Sequence, residues 1–193
     1  MRSFRLVTFF LFALQGCTSS AQPDSALESL LEGMEQRLDL AEAVALHKWD
    51  QRQPVQATSR ERQVIASVRE TAPDYRLSPD RAEAFFSDQM EANKLLQYTA
   101  LSHWQLQQQA PATPRQDLHG QLRPRLDRLQ SQLLERLAAF DQTPVPRCSE
   151  LLAHTLAHRT HDALRYLALV RASGQLCEKN RETPMLYIGA QKQ

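Results

Sequence analysis

Several cationic and amide side chains fall on helical stripes that otherwise carry apolar residues, a pattern suited to a buried anion site. Arg37 and Lys48 are 11 residues apart, so they lie three turns apart on one face of a helix. Arg60 shares a stripe with two valines, and Asn93 and Gln97 share one with large apolar residues. Cations that face a bundle interior cost many kcal/mol unless an anion joins them. The spacing therefore predicts a basic pocket that a small polyanion neutralises.

The same residues also have a purely structural interpretation. Long Arg and Lys side chains at the edge of a stripe extend to water, and Asn93 and Gln97 fit as core amides with satisfied hydrogen bonds. That interpretation suits any one residue better than it suits the group, because Glu61 is the only obvious acid near these cations. We therefore favour a pocket whose charge balance an external anion completes.

A second group of candidate ligands consists of His154, His158 and His161, whose spacing places them on one helix face. A zinc site needs further ligands at suitable spacing, and Asp162 is the one acid that accompanies the three histidines. Arg159 lies among them and disfavours a bound cation. We expect no metal and no cofactor.

Rigid elements must position these side chains, and the composition favours helices. The 193 residues include only 5 glycines, and none lies between Met34 and His119. Strand-rich folds use frequent glycine turns, whereas this stretch is rich in good helix formers such as Leu, Ala, Gln, Glu and Arg. The length suits one domain. We predict an all-α fold, a single-domain bundle of about five to six helices.

Charge restricts the partners. The formal net charge is +1, with 23 basic and 22 acidic residues, so the chain lacks the strong positive balance of a nucleic-acid-binding protein. Of the basic residues, 19 are arginines, whose planar guanidinium groups bind carboxylates and phosphates through paired hydrogen bonds. We expect a small anionic ligand and no nucleic-acid partner.

Apolar periodicity and capping signals divide the chain into predicted helices. Ser78 followed by Pro79 marks one helix start, because Ser caps a helix well and Pro fits the first helical position. The stretch Ala72-Pro73-Asp74 marks the end of the helix before it. The predicted helices cover residues 25–49, 58–71, 79–104, 122–140 and 149–173.

The N-terminus predicts export. Arg2 and Arg5 precede an apolar run over residues 6–14, which is long enough for a signal-peptide core and too short to span a bilayer. Two cleavage patterns compete: residues 1–21 form an ordinary signal peptide, or residues 1–16 form a lipoprotein signal and Cys17 becomes a lipid-anchored N-terminus. In both cases we expect the domain of residues 22–193 in the periplasm or secreted, with no membrane span.

Two cysteines remain after this processing. Cys148 and Cys177 bracket the last predicted helix, and an oxidising compartment favours a disulfide between them. Their spacing alone leaves two free buried thiols as the alternative. A bridge forms only if the chain after Gly174 doubles back.

Several motifs along the chain form a recognisable set. The most specific is the Asp-Gln-x-x-Ala-Asn segment that ends at Asn93, combined with intervals of 11 residues from Arg37 to Lys48 and 12 from Lys48 to Arg60. The other segments are Lys48-Trp49, Pro54-Val55, Arg60-Glu61, Phe85 to Lys94, Gln97-Tyr98, Trp104 and Leu122 to Asp127. With these motifs the chain resembles the exported class of all-α chorismate mutases over nearly all of its mature part.

The resemblance implies an enzyme that converts chorismate to prephenate by an intramolecular Claisen rearrangement without a cofactor. Such an enzyme holds a compact conformer and stabilises negative charge on the ether oxygen that leaves carbon. The resemblance implies that Lys48 and Gln97 donate hydrogen bonds to this oxygen and that Arg60 completes the catalytic set. Because Gln97 is neutral, we expect activity that does not require acidic pH.

The resemblance also implies a set of substrate contacts. Arginines grip the two carboxylates, Asn93 supports them, and Glu61 accepts from the ring hydroxyl. For the arginine at the start of the fourth helix, Arg125 competes with Arg123, because a small shift of helix phase exchanges them. The implied substrate-binding residues are Arg37, Lys48, Arg60, Glu61, Asn93, Gln97 and Arg123.

The resemblance further implies a homodimer in which each active site is built within one protomer. Two other classes of protein fit the residues alone. One is a non-catalytic exported helical lipoprotein that binds a small dicarboxylate, and the other is a bundle enzyme that acts on a different dicarboxylate. Turnover of chorismate distinguishes both from a mutase.

Overall fold

The computed structural model describes residues 23–178, and this part of the chain is helical with no β-strand. The predicted all-α fold class is confirmed. The predicted signal peptide lies outside the described residues. The α-helices are α1 (Pro23–Leu38), α2 (Ala41–Asp50), α3 (Thr58–Thr71), α4 (Pro79–Gln107), α5 (Arg123–Gln142), α6 (Cys148–Arg159) and α7 (Ala163–Ala172). A 3-10 turn, Ala72–Tyr75, follows α3, and a π-helical turn, Leu118–Leu122, precedes α5.

Helix α4 is the long central element of the bundle, and it packs against α2, α3 and α7. Its start agrees with the sequence: the Ser78 side chain accepts a hydrogen bond from Arg81 N at 3.1 Å, and Pro79 is the first helical residue. The helix ends at Gln107, and Gln108 adopts a left-handed conformation with φ of 52°. One rigid helix therefore carries Asn93 and Gln97.

The main apolar cluster lies where α1, α4, α5 and α7 meet. Phe85 and Phe86 are buried, and their rings meet edge to face with centroids 5.3 Å apart. Each buried Phe or Leu contributes about 1.5–3 kcal/mol, so the cluster holds α4 firmly against its neighbours. Gly33 lets α1 and α5 approach closely, because a Cβ at this position would lie 2.9 Å from Leu133 Cδ2.

The single helix predicted over residues 25–49 is wrong in one respect: it breaks into α1 and α2 at Asp39 and Leu40. Arg165 of α7 donates to the Glu35 carbonyl at 3.0 Å and binds the Asp39 carboxylate. The apolar periodicity of residues 25–49 gives no information on this contact, because Arg165 lies on a helix far along the chain. The break leaves the Arg37 carbonyl accepting from Leu40 N at 3.3 Å and from Asn93 Nδ2 at 3.1 Å.

The predicted disulfide between Cys148 and Cys177 is confirmed, with Cα atoms 5.7 Å apart. The helix predicted over residues 149–173 is two helices, because Asp162 caps the start of α7 by accepting from Arg165 N at 2.7 Å. Within residues 23–178, no helix combines the length and the apolar character needed to cross a membrane.

Candidate active site

A cavity of about 120 Å³ opens between α1, α2, α3, α4, α5 and the loop before α3. Six of the seven substrate-binding residues predicted from the sequence line it together. They are Arg37, Lys48, Arg60, Glu61, Asn93 and Gln97. The spacing predicts convergence from three helices. The structure brings the residues together from four, because Arg37 and Lys48 lie on the separate helices α1 and α2.

Arg37 lies at the buried end of this site. Its side chain contacts the face of Phe86, with Cζ 5.9 Å from the ring centroid, and its Nε has no hydrogen-bond partner among the described residues. Burial lowers the pKa of Arg37 to about 10; Asp127 partly opposes this shift and Arg60 adds to it. The guanidinium is still cationic at neutral pH. A buried cation with an unpartnered N–H calls for an anionic acceptor.

Lys48 is the second buried cation. Its Nζ donates to the Val55 carbonyl at 2.6 Å, which uses one of its three N–H groups and holds the amine against the loop before α3. Burial lowers the pKa of Lys48 to about 8, and Glu61 and Lys94 act in opposite directions on it. The protonated ammonium therefore predominates at neutral pH, and its fraction falls to about one half near pH 8.

Asn93 and Gln97 form a short hydrogen-bonded chain whose direction is set by the backbone. Asn93 Nδ2 donates to the Arg37 carbonyl, so Asn93 Oδ1 faces Gln97 and accepts from its Nε2 at 2.6 Å. Gln97 Oε1 has no partner among the described residues. The Gln97 amide nitrogen keeps a second N–H with which to donate into the cavity.

Glu61 is held from several directions. It accepts from Ala57 N at 3.0 Å, from Gln56 Nε2 at 2.8 Å and from Lys94 Nζ at 3.2 Å. Burial raises the pKa of Glu61, but these hydrogen bonds and the Lys94 charge outweigh burial and leave the pKa below its usual value. Glu61 is therefore a fixed, ionised acceptor.

Helix α5 contributes a different set from the one expected. Leu126, Asp127 and Gln130 line the cavity, and Asp127 Oδ1 accepts from Arg60 Nη2 at 2.9 Å. Asp127 is thus a second acid beside the cations, where the sequence had indicated Glu61 alone. A pair that is 67 residues apart in the chain leaves no local signal.

Arg123 does not line the cavity in this structure. Its Nη1 lies 2.9 Å from His119 Nδ1, and its competitor Arg125 donates to Gln116 Oε1 at 3.0 Å. Arg123 lies one turn before Asp127 on the same face of α5. The predicted contact between Arg123 and a substrate carboxylate therefore remains a prediction.

The sequence analysis did not identify Lys94 as a site residue. In the structure Lys94 is a buried residue of α4 that lines the cavity. Burial lowers its pKa, but ion pairs with Glu91 at 2.7 Å and Glu61 at 3.2 Å outweigh burial and raise it. Its position one residue after Asn93 is a usable signal, since both fall within the motif segment.

The cavity has an excess of positive charge. Among residues 23–178, four cations line it, of which two are paired with two lining carboxylates, and the excess is two positive charges. The cations are Arg37, Lys48, Arg60 and Lys94, and the carboxylates are Glu61 and Asp127. Among the described residues, no group of three or more His, Cys, Asp or Glu side chains is arranged to hold a metal ion. The arrangement suits a small dianion that is oriented by hydrogen bonds.

Fold and site together define an all-α protein with a buried pocket for a dianion. The family described as chorismate mutase type II matches residues 24–98. The crystal structure of chorismate mutase from Burkholderia phymatum is 39% identical, has a TM-score of 0.74, and covers 80% of this chain and 98% of its own. The corresponding structure from Burkholderia thailandensis is 32% identical, with a TM-score of 0.70 and coverages of 79% and 99%.

A secreted chorismate mutase from Mycobacterium tuberculosis is 26% identical over 163 residues, which are 82% of this chain and 81% of the relative. The present chain belongs to the chorismate mutase family. The resemblance seen in the sequence motifs is confirmed.

Proposed function

We propose that this protein catalyses the rearrangement of chorismate to prephenate. The observation that carries the proposal is the excess of two positive charges that the described residues place in the cavity, where the Nε–H of buried Arg37 has no partner among them. Chorismate carries two carboxylates and is neutralised by that excess. Membership of the chorismate mutase family supports the same reaction.

The chemistry needs positioning and electrostatics more than reactive groups. One ether C–O bond breaks while one C–C bond forms in the same molecule, so no atom enters or leaves. Negative charge develops on the ether oxygen in the transition state. Enzymatic acceleration of even the smallest usual size requires about 8 kcal/mol, which fixed donors in a partly enclosed cavity and restraint of the reactive conformer supply.

Arg37 and Arg60 are the proposed carboxylate grips. Arg37 is buried and approaches from α1, whereas Arg60 approaches from α3 at the more exposed side of the cavity. Asn93, whose amide is oriented by the Arg37 carbonyl, supports the inner carboxylate. Glu61 accepts from the ring hydroxyl.

Lys48 and Gln97 are the proposed donors to the ether oxygen. Lys48 brings a positive charge with further N–H groups, and Gln97 brings a neutral N–H whose direction is set through Asn93. Both donors are anchored before substrate arrives, so little reorganisation accompanies charge development. Arg123 has the proposed role of a third carboxylate contact, for which its side chain leaves His119 and turns along the face of α5.

We also propose that the protein is exported and dimeric. The basic and apolar start of the chain supports export, as does the description of the mycobacterial relative as secreted. A single protomer already brings six of the seven predicted substrate-binding residues together in the cavity, which supports a site built within one protomer. The homodimer is proposed from the sequence resemblance.

Purified protein without its leader, mixed with chorismate, tests the reaction by the loss of chorismate absorbance. We expect turnover, and Lys48→Ala is expected to lower kcat about 100- to 1,000-fold, the usual effect of removing one donor to a developing oxyanion. Arg60→Ala should raise KM. Arg62→Ala is the matched control, because Arg62 is exposed on the same helix and does not line the cavity.

The outcomes separate the reaction from the site. Absence of turnover in the unmodified protein contradicts the proposed function, and ligand binding without turnover then supports a dicarboxylate-binding protein. If Lys48→Ala and Arg60→Ala are as active as Arg62→Ala, the reaction stands and the assignment of these residues fails.

A further inference from the structure

An acid in the wall of an anion-binding cavity needs an explanation. Asp127 lines the same cavity as Arg37 and Lys48, and its carboxylate contacts Arg60, the proposed outer carboxylate grip, at 2.9 Å. The Asp127 carboxylate is therefore ion-paired with the same guanidinium that is proposed to bind a substrate carboxylate. Asp127 either competes with the substrate for Arg60 or is arranged to leave when the substrate arrives.

The two acids of the cavity are held very differently. Glu61 accepts hydrogen bonds from three groups and its side chain is 22% exposed. Asp127 has one hydrogen bond in the described part of the chain, to Arg60, and its side chain is 59% exposed. The Glu61 carboxylate is fixed by its hydrogen bonds, whereas rotation of the Asp127 side chain is enough to move its carboxylate into solvent.

The contact between Asp127 and Arg60 is also weaker than the one a substrate carboxylate is able to form. It joins one nitrogen, Nη2, to one oxygen, Oδ1. A guanidinium binds a carboxylate best through two parallel hydrogen bonds. A substrate carboxylate that takes both therefore gains more than the single contact that it replaces.

We infer that Asp127 is a displaceable counter-ion, which occupies Arg60 in the empty site and is exchanged for a substrate carboxylate. The inference rests on the proposed function, since it names the substrate group that displaces Asp127. Its consequence is that every binding event breaks the Asp127–Arg60 pair. Asp127 therefore weakens ground-state binding and sets KM without taking part in the rearrangement.

The variant Asp127→Asn tests this directly. We expect KM for chorismate to fall about two- to five-fold, the size of an exposed ion pair, with kcat within about twofold of the unmodified protein. Asp127→Glu restores the charge and should return KM towards the original value. Glu135→Gln is the matched control, because it removes one negative charge from an exposed position on the same helix outside the cavity.

A KM for Asp127→Asn that equals that of Glu135→Gln overturns the inference, because Arg60 is then equally available with and without the acid. A higher KM or a large fall in kcat also overturns it, since Asp127 would then orient Arg60 for the reaction. Loss of folding in the variant would not produce a lower KM, so the expected gain in affinity is not confused with structural damage.

A second probe keeps this test independent of the proposed function. Malonate is an unreactive dicarboxylate, and its stabilisation of the fold is measured as the shift in Tm. We expect a larger shift for Asp127→Asn than for Glu135→Gln. If chorismate is not turned over but this difference is found, the proposed function fails while the exchange at Arg60 stands; equal shifts overturn the exchange.

Discussion

Lys48 is the proposed donor whose protonation state we expect to limit the reaction. It must be protonated to donate to the ether oxygen, and burial lowers its pKa to about 8. The second proposed donor to the ether oxygen, Gln97, is neutral and does not titrate. We predict that kcat/KM is constant from about pH 6 to about pH 7.5 and then falls as pH rises through about 8, up to tenfold per pH unit.

A pH profile of chorismate turnover checks this prediction. A bound dianion stabilises the Lys48 ammonium, so the fall in kcat should lie at higher pH than the fall in kcat/KM. In Lys48→Arg the charge does not titrate in this range, and its residual activity should lack the alkaline fall. A steep loss between mildly acidic and neutral pH, or no fall up to about pH 10, contradicts the proposed pair of donors.

At this scale the sequence predicts buried positions well and ion-pair partners poorly. Arg37, Lys48, Asn93 and Gln97 lie on helix stripes, and a stripe that faces the core is visible from local spacing. The partner that Arg60 finds on α5 depends on how two helices cross. Asp127 therefore could not be identified before the structure, although it lies within a motif segment.

At the scale of elements, two separate interactions attach the chain after α7, residues 173–177, to the bundle. The disulfide joins the start of α6 to Cys177. Arg81 of α4 binds both oxygens of Asp141 and donates to the Gln175 and Leu176 carbonyls at 2.8 Å. The side chains of Arg81 and Asp141 are 11% and 4% exposed, so we expect this ion pair to persist when the disulfide is reduced.

We predict that reduction of the disulfide lowers stability without abolishing activity. A bridge between residues separated by 29 positions contributes about 3–4 kcal/mol, equivalent to a Tm lower by roughly 10 °C. Neither cysteine lines the cavity, so the turnover of chorismate at 25 °C should be preserved. Thermal unfolding with and without a reducing agent measures the effect.

The double variant Cys148→Ala, Cys177→Ala is the control for this measurement. It should have the lower Tm from the start and should not respond to the reducing agent. An unchanged Tm in the unmodified protein would show that the bridge does not constrain the unfolded chain in the expected way.

Element boundaries show where sequence reasoning stops. The Ser78 and Pro79 signals locate the start of α4, because capping is a local interaction. The break between α1 and α2 has no comparable local signal, since the Arg165 contact at Asp39 joins residues 126 positions apart in the chain. At that break the Arg37 carbonyl accepts a hydrogen bond from Asn93 and so orients the side-chain amides of Asn93 and Gln97. Local sequence patterns did not predict this break.

At the scale of the whole molecule, a single protomer brings six predicted substrate-binding residues into one cavity, namely Arg37, Lys48, Arg60, Glu61, Asn93 and Gln97. We predict that the specific activity of each protomer is independent of protein concentration, even where a homodimer dissociates. Turnover measured over a dilution series, alongside sedimentation of the same samples, tests this. A loss of specific activity that follows dissociation would show that the partner chain completes the site.

The net charge of the chain is near zero, but positive charge is concentrated in the cavity. The central claim is that chorismate binds there and is converted to prephenate. The most direct measurement is proton NMR of chorismate mixed with the purified protein in the presence of a chelator. We predict that chorismate converts one-for-one to prephenate, at a rate proportional to protein concentration and unaffected by the chelator. Chorismate that stays unchanged, or that yields a different product, would contradict the account.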